Sequence, residues 1–157
     1  MCTGPAGSRP RIEQCCYGEG VSEGTESGEP VLVTLSTPPR RSLVDGLVRN
    51  IGASPAAPTV ELDAPDSGIA DFLAQAAHSD TGFVARTASG ERAVAIVAAT
   101  AAALCGEDIG AALRNPDIAF LTSLKPPAVE AVRSVLLAIE TAAGDRVNDA
   151  LRVLNEG

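Results

Sequence analysis

Beyond residue 30 the chain is a succession of short apolar stretches separated by Gly, Pro and Ser, and most of them carry helical spacing. Ile69, Phe72, Leu73, Ala76 and Ala77 recur at helical intervals, which predicts a helix from Asp66 or Ser67 to about His78. The stretch from Glu91 to Cys105 is apolar on nearly every face and rich in alanine, the best helix former. A helix of that kind belongs at the centre of a fold, with neighbours all round. Gly106 stops it, and Glu107-Asp108 open a short helix to Leu113. Pro116 permits a further turn through Phe120, Leu121 and Leu124. Pro126-Pro127 open a long helix that Gly144 ends. On it Val129, Val132, Leu136 and Ile139 form one face, while Glu130, Arg133 and Glu140 face water. Asp145 caps a last helix carrying Val147, Leu151 and Leu154.

Strand signals are fewer. Val31-Leu32-Val33-Thr34-Leu35, stopped by Pro38-Pro39, reads as one strand, and Thr59-Val60-Glu61-Leu62 as a second. Between them, Ser42 caps a short helix with Leu43, Val44, Leu47, Val48 and Ile51 on one face, ended by Gly52. The segment from Ser79 to Ser89 reads as a polar connection, anchored by Phe83 and Val84. The predicted fold is mainly α: an irregular helical bundle around the alanine-rich helix, with a minor strand pair near its N-terminal side (α+β). No internal repeat of fixed period stands out.

Composition divides the chain in two. Residues 1 to 30 are dominated by Gly, Pro, Ser and Glu, so they have too little to bury to offset ordering entropy and read as a disordered arm. Gly18-Glu19-Gly20 followed by Val21 has the coding potential of a ribosome-binding site and a GTG start, which would place residues 1 to 20 outside the native product. Residues 31 to 157 form a single globular domain, the expectation for a 157-residue chain. Eleven of the twelve basic residues are Arg, which with the abundant Ala, Gly, Val and Pro points to a GC-rich bacterial genome.

A formal charge of −8 argues against nucleic-acid binding, which needs an excess of Lys and Arg. The longest uncharged apolar run, Ala93 to Cys105, falls short of the roughly 18 residues that cross a bilayer, so the chain reads as soluble and cytoplasmic. Cys2, Cys15, Cys16 and Cys105 match neither a redox pair nor a zinc spacing. No cofactor and no metal are expected.

Candidate chemistry is sparse. His78 is the single histidine, with Asp71 and Asp80 nearby in sequence; a general base oriented by a carboxylate is one reading, a polar residue at a helix C-terminus the preferred one. Asp63, Asp66 and Asp71 offer oxygen ligands, but Pro65 interrupts them and their spacing is not that of a calcium loop. Arg40-Arg41 suit an anion or an acidic partner, and Ser42 and Ser67 read as caps rather than nucleophiles.

Asp80-Thr81-Gly82-Phe83-Val84, then Gly90-Glu91-Arg92-Ala93 and the alanine-rich helix to Gly106, resemble the middle of a small bacterial family, domain of unknown function family 4259. Ser67 to Ala77, with Asp71-Phe72-Leu73, is similar to that family's opening helix, and the resemblance spans residues 66 to 155. The family's Trp-Gly start has no counterpart here, since the chain lacks tryptophan. The resemblance implies a helical fold and no catalytic residues.

Two functions follow from these readings. One is a non-catalytic protein-binding or accessory module of immunity or regulatory type, with a basic protein or a second copy of the chain as its expected partner; Arg40, Arg41, Val129, Val132 and Leu136 are its candidate contact residues. The other is a small ligand-binding domain or enzyme whose site is assembled from His78, Asp71, Asp80, Arg86 and Arg92.

Overall fold

The computed structural model describes residues 41–53 and 56–155. The predicted strand at Val31–Leu35, the residues 1 to 30 arm and Arg40 lie outside them. Four strands form one sheet: β1 (Val48–Arg49), β2 (Thr59–Glu61), β3 (Phe83–Arg86) and β4 (Leu136–Glu140). All pairings are parallel, in the order β1-β4-β3-β2. Six helices accompany the sheet: α1 (Asp66–Ala76), α2 (Gly90–Cys105), α3 (Ile109–Arg114), α4 (Ile118–Thr122), α5 (Pro126–Val135) and α6 (Gly144–Leu151), followed by a 3-10 turn at Arg152–Leu154.

The fold is therefore mixed α/β, not a helical bundle with a minor strand pair. The largest difference lies after Pro126. Instead of one long helix, α5 ends at Val135 and the chain passes straight into β4, with Leu136 already extended at φ −90° and ψ 97°. Neither Gly nor Pro marks this switch. What marks it is an unbroken apolar run, Val135 to Ile139, of the kind a central parallel strand buries on both faces. Leu136, Ala138 and Ile139 are each fully buried. Phe83 and Val84, expected to anchor a connection, open the neighbouring central strand for the same reason. Pairing between β3 and β4 outweighs the helical spacing of the local sequence. The short helix expected after Ser42 is likewise absent: the Ser42 hydroxyl accepts from the Val44 and Asp45 N–H groups, the chain turns, and β1 follows.

Strands β2, β3 and β4 succeed one another in one direction across the sheet, so their right-handed crossovers place the connecting helices on a common face. Val60, Phe83, Ala85, Leu136 and Ile139 alternate toward that face and join Ile69, Leu73, Ile96, Val97, Val132, Val147 and Leu151 in one core. Helix α2 runs through its middle, touching α1, α3, α4, α5 and α6. Eleven of its residues are buried, from Gly90 to Ala102. Ser89 caps its start by accepting from the Arg92 N–H. Gly106 ends it with φ 74°, a left-handed conformation that glycine adopts without steric cost. At the other end α6 crosses so closely that a Cβ on Gly90 would stand 2.5 Å from the Ala150 Cβ. Only glycine permits that approach.

The turns after β3 and β4 repeat one another. Thr87-Ala88-Ser89-Gly90-Glu91-Arg92 returns as Thr141-Ala142-Ala143-Gly144-Asp145-Arg146. Both threonines are buried, and each hydroxyl accepts the N–H two residues on, at 3.0 Å from Ser89 and 2.9 Å from Ala143. Two copies separated by four helices make no regular period.

Candidate functional site: an acid-rimmed apolar groove

Two regions concentrate charge. The first is the carboxyl edge of the sheet, where the strands end in one row of alternating sign: Arg49, Glu140, Arg86 and Glu61 are register partners in that order. Glu140 is 3% exposed, and its Oε2 accepts from Arg86 Nε at 3.1 Å and Nη2 at 3.0 Å. Glu61 Oε1 accepts from Arg86 Nη1 at 3.2 Å. These partners raise the Arg86 pKa above the usual guanidinium value: the Glu140 hydrogen bonds act first, against the opposing effect of burial, and the Glu140 and Glu61 charges add to them. Beside the row, Arg92 donates to the Leu62 carbonyl at 2.9 Å and to Asp66 Oδ1 at 2.8 Å, tying the start of α2 to the turn before α1. These charges hold strand ends and helix starts together.

The second region lies at the opposite end of α2. The N–H groups of Gly106 and Glu107 both return to the Ala102 carbonyl, which folds Glu107 over the helix end. There Ala102, Ala111, Ala112 and Phe120 line a groove of about 370 Å³, rimmed by Glu107, Asp108, Asn115 and Asp117. Phe120 is 39% exposed, one of three large apolar side chains left open among the described residues. Asp108 accepts from the Ala111 N–H at 2.8 Å and Asp117 from the Phe120 N–H at 2.9 Å, so each caps a helix with one oxygen. Glu107 has no such duty. Arg114 lies close by over Gly110, but it opens onto the neighbouring cleft with Asp66, Glu91 and Arg92. No basic residue lines the groove or occupies the last turn of α2, whose C-terminal dipole adds to the negative potential there.

The residues singled out in the sequence are scattered. His78 lies exposed just past α1, Asp71 is exposed on α1, and Asp80 is exposed in the turn before β3. No hydrogen bond or ion pair joins the three. Arg86 and Arg92 are committed to the carboxyl edge as described. Arg41 is exposed and pairs with Glu130 at 3.0 Å. Arg133 is half-buried on α5 and donates to the Leu43 carbonyl; burial above all, then the charges of Arg41 and Arg49, lower its pKa. Val129, Val132 and Leu136 are buried in the core, so they present no surface to a partner. Glu140, placed toward water by the helical reading, is the buried carboxylate of the strand row. Asp63, Asp66 and Asp71 do not converge, and among the described residues no group of three His, Cys, Asp or Glu side chains could hold a metal ion. No described helix is long and apolar enough to cross a membrane.

The groove escaped sequence reasoning because its parts looked structural one by one. Glu107-Asp108 read as a helix start and Phe120 as part of a further turn after Pro116. The sequence signal was the contrast between three acids within eleven positions, Glu107, Asp108 and Asp117, and the alanines and phenylalanine beside them. No protein-family model, no curated protein and no solved structure matches this chain.

Proposed function

We propose that this chain is a non-catalytic protein-binding module, of accessory or regulatory type, which docks its partner in the groove at the end of α2. The observation that carries this reading is the exposed Phe120 on an alanine floor inside a ring of acids. An apolar floor with a polar rim is the anatomy of a protein-interaction core, where aromatic side chains contribute most of the binding energy.

A photo-reactive residue placed at Ala111 and activated in the native host tests the proposal. The expected result is one discrete protein adduct, lost when Phe120→Ala is added, with no matching adduct from the same residue placed at Ile51. Ile51 is 57% exposed and distant in sequence, so it controls for apolar exposure alone. No adduct at Ala111, or an adduct indifferent to Phe120, would overturn the reading.

A further inference from the structure

We infer that the occupant of the groove is an amphipathic helix carrying a bulky aliphatic side chain flanked by Lys or Arg. This rests on the protein-binding reading above and adds the chemistry of the partner.

The walls of the groove decide the mode of docking. They come from α2, α3, α4 and their connections, and no sheet strand lines the groove. A partner therefore has no strand edge to extend and must dock through side chains, as a helix does in a groove. Ala102, Ala111 and Ala112 are short enough to let a helix backbone come close, and Phe120 supplies the aromatic face for its anchor. At about 370 Å³, within the roughly 300–1,000 Å³ of ligand pockets, the space takes a bulky side chain, and its alanine walls suit an aliphatic one.

The rim decides the charge. Glu107 is not engaged in capping, Asp108 and Asp117 each direct one oxygen to a helix N–H, and the dipole of the sixteen-residue α2 ends at the same place with the same sign. An ammonium or guanidinium beside the anchor meets all of these. A second copy of the chain is the poorer occupant, because two molecules of charge −8 repel as they approach.

The test uses the full chain, isotope-labelled for NMR, and three synthetic peptides. The first is an amphipathic helix with leucines on one face and lysines beside them; the second scrambles that composition; the third replaces lysine by glutamate. The expected result is shift changes confined to Ala102, Glu107–Ala112 and Asp117–Phe120 with the first peptide alone. Affinity should then fall about thirtyfold in Phe120→Ala, the scale of a hot-spot residue. In Glu107→Gln combined with Asp117→Asn it should fall severalfold, and Asn keeps the cap at 117. Equal binding of the scrambled or acidic peptide, shifts centred elsewhere, or no shifts at all would overturn the inference. If the Ala111 cross-link still captures a protein in that event, the module reading stands and the partner chemistry assigned here falls.

Discussion

The two ends of α2 handle charge in opposite ways. At its start, acids and arginines face one another: Arg92 meets Asp66, and Arg86 lies between Glu140 and Glu61. At its end, Glu107, Asp108 and Asp117 surround apolar side chains with no basic residue among them. The first arrangement satisfies charges within the molecule and holds the sheet's edge. The second gathers three acids around exposed apolar surface, with Arg114 approaching only Asp108, over Gly110. Asp108 and Asp117 serve the fold as helix caps, but the exposed Phe120 and the uncapped Glu107 complete nothing inside it, and such surface is suited to a partner.

This contrast is open to direct attack, beginning where the effect is largest. Glu140→Ala should lower stability by roughly 2–4 kcal/mol in urea unfolding, since a buried charge-assisted pair is broken and Arg86 keeps only the exposed Glu61. Little loss there would mean that the strand row is not structural. Gly90→Val should cost about 1–3 kcal/mol by overpacking against α6, and Ala150→Gly in the same chain should restore part of it.

The repeated turns sharpen the comparison further. Arg92→Ala should cost about 1–2 kcal/mol, because two hydrogen bonds to the preceding turn disappear. Arg146 holds the same place in the second copy, but it is exposed and makes no comparable bond, so Arg146→Ala should stay within about 0.5 kcal/mol. Equal losses would show that both arginines clamp their neighbours. The smallest effect belongs to the groove: Glu107→Gln should leave the melting temperature unchanged or slightly raised, because it removes one of several like charges. A clear drop would place Glu107 among the structural residues.

The sequence conveys the helices better than the sheet, and the reason is physical. α1 and α2 carry strong periodic or helix-forming signals over about three turns or more, with Gly106 as the stop mark of α2. β4 and β3 are short and buried on both faces, so they show no alternation, and their runs of Leu, Ile, Val and Ala also fit a buried helix. Their identity as strands comes from one another, across a separation local patterns do not span. For the same reason Glu140 looked solvent-facing: its partner Arg86 is adjacent only once the strands pair. Of the candidate site residues, Arg86 and Arg92, expected to contribute to a ligand or catalytic site, are held in hydrogen bonds and ion pairs within the fold. The groove was illegible because Glu107, Asp117 and Phe120 meet only after α2, α3 and α4 fold back on one another.

The most direct test of the central claim is a native mass spectrum of the protein isolated from its own host at endogenous level, taken for the wild type and for Phe120→Ala. The account predicts a complex with a second, distinct protein for the wild type, and the free chain for the variant with its melting temperature retained. A complex that survives Phe120→Ala, or a wild-type chain that carries a small molecule and no protein, would contradict it.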